Sequence, residues 1–168
     1  MSRTLVYILL IFAGTFSSCR VKYSFNGGSI PDEAKTVSVG FFQNNAPLAS
    51  PTLSQTFTET LRDLFISQTK LSLVPLNGDL QFEGYISGYD VRPVAIQGNE
   101  TASLNRLTIT VSVKYVNRFN EKENFEQSFS RFADYSSSEQ LSSVEESLIA
   151  EINRQLVQDI FDRSFGNW

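Results

Sequence analysis

The sequence predicts an α+β domain of order β-α-β-β-β-α, with two helices packed on one face of a four-stranded mixed sheet. Three observations carry this expectation. Apolar residues recur at helical spacing over about 51–68 and again over about 140–163. One segment, Leu107 to Val116, alternates apolar and polar residues without a break. Turn-forming residues divide the remaining apolar runs into strand-like lengths. Amphipathic helices and half-buried strands each need a second layer over their apolar side, and stacking helices on a sheet supplies it.

The elements follow in order. Val37, Val39 and Phe41 alternate with Thr36, Ser38 and Gly40, which predicts a first strand with one buried face. A polar loop is expected from Gln43 to Ser50. Ser50-Pro51 then has the form of an N-cap followed by proline at the first helical position. Leu53, Phe57, Leu61, Leu64 and Phe65 make the apolar stripe of the first helix, with Thr56, Glu59, Arg62 and Asp63 on other faces. Leu71 and Leu73 alternate with Ser72 as a short strand or strand start. Asn77-Gly78-Asp79 has the composition of a tight turn.

Leu80, Phe82 and Ile86 should share one face of the next strand, against Gln81, Glu83, Tyr85, Ser87 and Tyr89 on the other. Gly84 and Gly88 fall in the buried series, where glycine marks a bulge or a close backbone approach. Pro93 to Asn99 is expected to be a loop. In the strongest strand, Leu107, Ile109, Val111, Val113 and Tyr115 face the core and Thr108, Thr110, Ser112 and Lys114 face away. Asn117 to Asn124 makes a polar hairpin connection, and Phe125 to Phe132 returns antiparallel. After Ser136-Ser137-Ser138, Val144, Leu148, Ile152, Leu156 and Ile160 repeat every four residues along the second helix, with Ile149 and Phe161 widening the stripe.

Ahead of this domain, Arg3 precedes an apolar run from Leu5 to Phe16 broken only by Gly14 and Thr15. A basic start, a short apolar core and a small-residue end are the parts of a secretory signal peptide. The run falls short of the about 20 apolar residues a membrane-spanning helix needs. It ends in Phe16-Ser17-Ser18-Cys19, which resembles the bacterial lipobox, with Phe16 where Leu is usual and Ser18 where Gly or Ala is. Residues 1–18 are therefore expected to be removed, Cys19 to carry lipid, and 19–34 to be a tether ahead of the domain at 35–168. The alternative is an ordinary leader with a cysteine nearby by chance. Cys19 is the single cysteine and has no intramolecular disulfide partner; lipidation accounts for it.

Cleavage leaves 150 residues, enough for one domain with a real core. Lys+Arg then falls from 14 to 13 against 18 Asp+Glu, a formal charge of −5, which disfavours nucleic acid as a partner. The 14 Phe and 6 Tyr predict an aromatic core. Without histidine, and with its one cysteine at the lipidation position, the chain has no His acid–base pair, Cys nucleophile or Cys/His metal site. No G-x-S-x-G elbow, P-loop or dinucleotide fingerprint occurs. Asp79, Glu83, Asp90 and Glu100 are the carboxylates open to a hydrolase reading, but Glu83 reads as solvated strand surface and Asp79 as a turn residue. No catalytic residue, cofactor or metal is expected. Asn99-Glu100-Thr101 matches a glycosylation sequon, against which the bacterial-type leader argues. Arg106, Lys114, Arg118 and Arg131 are candidates for a modest basic patch, with a plain solvated face as the alternative.

Several segments carry a resemblance. They are Ile30-Pro31 through Thr36-Val37-Ser38-Val39, Pro51 to Glu59, Asn77 to Gly84, Asn105 to Val111 and Asp159 to Trp168. In order and spacing they resemble the LptE-like lipoproteins of Bacteroidota across essentially the whole mature chain. The resemblance implies two helices on a four-stranded sheet and a lipopolysaccharide-assembly lipoprotein at the inner leaflet of the outer membrane. It implies that such a protein plugs the LptD-like β-barrel, helps assemble it and assists lipopolysaccharide insertion. Arg106, Lys114, Arg118 and Arg131 would then be contacts for phosphates or acidic sugars. Arg20-Val21-Lys22-Tyr23 differs from the acidic stretch that resembles a surface-export signal, which favours the periplasmic side. The competing expectation is a structural or adaptor lipoprotein of another envelope complex.

Overall fold

The computed structural model describes residues 30–94 and 103–166. The expected leader, Cys19, the tether up to residue 29 and Glu100 with its sequon lie outside the described residues. The elements are β1 (Thr36–Val39), β2 (Gln43–Asn44), α1 (Leu53–Gln68), β3 (Ser72–Val74), β4 (Leu80–Val94), β5 (Leu104–Asn117), a 3-10 turn (Glu121–Glu123), β6 (Phe125–Ser136) and α2 (Leu141–Phe165).

The expected sheet of four strands is incorrect: among the described residues there are six, and the order is β-β-α-β-β-β-β-α. They run β3-β1-β4-β5-β6, with β2 following β1 along the same side of β4. β1, β2 and β3 lie parallel to their neighbours, while β4, β5 and β6 form an antiparallel meander. Both uncounted strands are short. β2 is two polar residues inside the expected loop, and β3 is split from β4 by the segment 75–79 rather than being its start.

That segment does more than turn. β3 and β4 flank β1 on opposite sides and run parallel to it, so residues 75–79 must cross β1. Parallel connections usually take a dozen or more residues. Here the crossing passes backbone against backbone at Gly78: a Cβ there would lie 2.5 Å from the Ser38 nitrogen and 2.8 Å from the Val37 carbonyl carbon. Asn77 supplies a left-handed step at φ 56°. Asp79 then fastens the crossing to β1. One carboxylate oxygen accepts from the Lys35 and Thr36 amides at 2.9 Å each and from the Thr36 hydroxyl at 2.8 Å.

The gap between β1 and β2 is braced by α1. Thr58 Oγ1 accepts from the buried Phe42 amide at 3.1 Å, and Arg62 Nη2 donates to the Val39 carbonyl at 2.8 Å. Backbone groups freed where the strand breaks thus find partners on the helix. The helix itself starts at Leu53, later than expected; Pro51 lies in the preceding turn, and Thr52 at the N-cap position makes no side-chain cap bond.

In the meander, Leu107, Ile109, Val111, Val113 and Tyr115 are all fully buried, as their alternation requires. A bulge interrupts β4 between Ile86 and Gly88, one residue from an expected marker glycine. It shifts the alternation by one, so Tyr89 reaches the helix side instead of the solvent side and donates to Glu145 Oε1 at 2.5 Å. Gly84 marks a close approach: its Cβ would sit 2.6 Å from the Phe42 ring and closer still to the Ser112 carbonyl oxygen. Pro93 and Val94, expected in a loop, belong to β4.

Both helices cover the same face, α1 over β1, β2 and β3, and α2 over β5 and β6. Between them and the sheet, Phe65, Phe82, Tyr115, Phe125, Phe161 and Phe165 form a connected aromatic cluster with ring centroids 4.6–6.4 Å apart. Burial holds the Tyr115 hydroxyl well above its ordinary pKa, with the nearby Glu123 charge adding to the shift.

Candidate interface on the open face of the sheet

The helices leave the opposite face of the meander uncovered. Strand register fixes what lines it. Thr108, Thr110, Ser112 and Lys114 of β5 stand beside Phe132, Ser130, Ser128 and Glu126 of β6. On the β4 side, Lys114 and Ser112 have Glu83 and Tyr85 as neighbours. The centre of this face is a bed of hydroxyls, with Thr110 Oγ1 and Ser130 Oγ 3.0 Å apart. Such a surface offers donors and acceptors at short spacing, with the exposed rings of Tyr85 and Phe132 at its margins. The β5 half was legible from alternation, whereas Ser128 and Ser130 sit in a strand whose pattern is less regular.

The four cations singled out from sequence do not form one patch. Arg106 and Lys114 share the open face but stand eight residues apart along β5, roughly 27 Å. Arg106 makes two bonds to Asp134, at 2.7 and 2.8 Å, and its guanidinium lies 3.6 Å from the centre of the Phe132 ring. The Arg106 bond holds the Asp134 carboxyl below its usual range. Arg131 is opposite Ile109 in the ladder and therefore on the helix side. There it makes two bonds to Asp159 of α2, at 2.5 and 2.6 Å. Arg118 lies past the end of β5, its amide donating to the Asp79 carbonyl at 3.1 Å. Arg106 and Arg131 are thus already matched to carboxylates, while Lys114 has Glu83 and Glu126 as cross-strand neighbours without a direct ion pair among the described residues.

The carboxylates do not converge either. Asp79 is committed to β1 backbone, Glu83 is exposed on the open face, and Asp90 pairs with Arg92 at 2.6 Å. Among the described residues no group of three or more His, Cys, Asp or Glu could hold a metal ion. No described helix is long and apolar enough to cross a membrane.

The family model for LptE, described as lipopolysaccharide-assembly, matches residues 34–164. The chain belongs to the LptE family. This family is non-catalytic, and its members are lipoproteins of the outer membrane. No curated protein matches the chain. Among solved structures, a minor lipoprotein from Acinetobacter baumannii is 16% identical with a TM-score of 0.50, over 79% of this chain and 97% of that one. A hypothetical protein from Chlamydia trachomatis is 12% identical, also with a TM-score of 0.50, over 77% and 95%. At such identities the shared property is the fold.

Proposed function

We propose that this LptE-family protein plugs an LptD-like outer-membrane β-barrel, helps assemble it, and assists insertion of lipopolysaccharide into the outer leaflet. The observation that carries the reading is the family match over nearly the whole domain. The open face suits the role physically: the interior of a membrane barrel is polar, and a hydroxyl-lined sheet can exchange hydrogen bonds with such a wall or with sugars. Residues 1–18 act as the leader, Cys19 carries the lipid, 19–34 is the tether, and 35–168 is the plug on the periplasmic side. Extended likeness in the segments around Pro51 and Asn77 supports a place in the Bacteroidota branch.

Function here is mechanical and electrostatic. The folded body occupies lumen volume while its polar face stays toward the passing glycolipid. Of the four cations, Lys114 is the best placed for phosphate or acidic-sugar contacts, since it stands on the open face while Arg106 and Arg131 already have bidentate carboxylate partners and Arg118 lies past the end of β5.

Purification of the chain from its native outer membrane tests this. The expected result is a stoichiometric complex with a large β-barrel, and a mass for the mature N-terminus that includes acyl chains on Cys19. A stoichiometric complex containing no barrel would overturn the plug reading, and an unmodified Cys19 would overturn the anchor.

A further inference from the structure

The end of the domain where the chain enters carries a feature that the plug role leaves unexplained. Val37 pairs with Leu80, and Leu80 pairs with Asn117, so the start of β1 lies two strand spacings, about 10 Å, from the end of β5. The β5–β6 connection is therefore at the tether end of the molecule. It is also tightly built. The buried Asn117 accepts from the Phe119 and Asn120 amides at 2.9 and 3.2 Å, donates through Nδ2 to Glu123 at 2.6 Å, and donates its own amide to Asn124 at 2.7 Å. Those bonds hold Phe119 outward, half exposed, although the aromatic cluster is close by.

Ion pairing differs along the same axis. Lys35, Lys114, Arg118 and Lys122 lie at the tether end, none of them in an ion pair among the described residues, beside the carboxylates Asp32, Glu33, Asp79, Glu83 and Glu126 of that end. At the opposite end, Arg92 and Arg106 are each neutralised by a carboxylate, Asp90 and Asp134. Glu121 and Glu123 share the turn with Phe119, but Glu123 is tied to the Asn117 and Asn120 side chains.

Chain length limits the orientation. Eleven residue steps from Cys19 to Ile30 span at most roughly 40 Å. β5 alone, Leu104–Asn117, extends roughly 45 Å. With its lipid in a leaflet, the domain cannot stand inverted with its tether end farthest from that leaflet. We propose that the β5–β6 turn is a membrane-contact surface, with Phe119 in the headgroup layer and Arg118 and Lys122 beside it, facing the leaflet that holds the Cys19 lipid. An aromatic ring with basic neighbours suits an interface of anionic headgroups over acyl chains. The inference rests on Cys19 being the anchored residue, so its test supplies the anchor artificially.

The chain from Cys19 to Trp168, coupled through its single thiol to a maleimide phospholipid, is placed in phosphatidylethanolamine–phosphatidylglycerol vesicles. Amide hydrogen exchange is compared with that of the thiol-capped soluble chain. Exchange over 117–124 should slow by about five-fold or more on anchoring, with 88–92 and 106–110 unchanged. Phe119→Ser should fold normally and lose most of that slowing. Unchanged exchange at 117–124, or slowing at the opposite end instead, would overturn the proposal. Because the coupling is chemical, that outcome is independent of whether Cys19 is lipidated in the cell.

Discussion

The two halves of the sheet are held together by different means. β4, β5 and β6 form long antiparallel ladders whose inward residues, Leu107 through Tyr115, are buried without exception. β1, β2 and β3 have two to four residues each, too few for ladder bonds to dominate. They are fixed by side chains reaching backbone: Asp79 on Lys35 and Thr36, Thr58 on Phe42, Arg62 on Val39, and Ser38 on Gly78. The meander spreads its stability over many apolar contacts, while the parallel half concentrates it in a few polar bonds and one glycine. Single substitutions should therefore act more severely on the parallel half.

The largest effect is expected at the crossing. Gly78→Ala puts a Cβ against β1 backbone atoms that cannot yield, and should destabilise by about 3 kcal/mol or more. Urea unfolding would measure it; a loss under about 1 kcal/mol would mean that the crossing is loose. Next is Thr58→Val, which keeps shape but leaves the buried Phe42 amide without an acceptor. A cost of about 1.5 kcal/mol is expected, read as a shifted urea midpoint at unchanged slope.

Asp79 gives the parallel half a dependence on acid. Hydrogen bonds from the Lys35 amide, the Thr36 hydroxyl and the Thr36 amide hold its carboxyl below the ordinary value of 3.8. The bonds to the carboxylate therefore stabilise the fold at pH above that value, and the contribution disappears as pH falls through the lower folded value. Melting temperature followed from neutral pH into this acid range should fall less steeply for Asp79→Asn than for the parent. Parallel curves would show that the carboxylate does not couple to folding. The smallest effect belongs to Arg131→Gln, which removes an exposed bidentate pair on the meander side and should cost about 0.5 kcal/mol. A cost several times larger would show that the meander also depends on discrete polar bonds.

The same division governs how much could be read from the sequence. β5 and both helices stand out because each buries one face along many residues, so the period is sampled often. β2 has two polar residues and β3 lies on an edge with Ser72 and Leu73 exposed, so neither leaves a pattern. The bulge beside Gly88 shifts the alternation by one and puts Tyr89 on the helix side, whereas an unbroken period would have left it facing solvent. Asn77-Gly78-Asp79 was legible as a place where the chain changes direction, yet its passage across β1 depends on strand order, which local composition does not encode. For the candidate site, Lys114 followed from the β5 alternation. Arg131 was separable only through the Phe129, Ala133 and Tyr135 series, which is buried on the helix side. The carboxylate partners Asp134 and Asp159 depend on register and helix placement, both tertiary facts.

In the proposed role the hydroxyl-lined open face lies in a barrel lumen along the glycolipid's path. A photo-crosslinking residue at Thr110, mid-way along that face, tests it most directly in cells that export lipopolysaccharide. An adduct with a large outer-membrane barrel or with lipopolysaccharide itself is expected. Efficient crosslinking of Thr110 to neither, with the protein folded and present in the outer membrane, would contradict it.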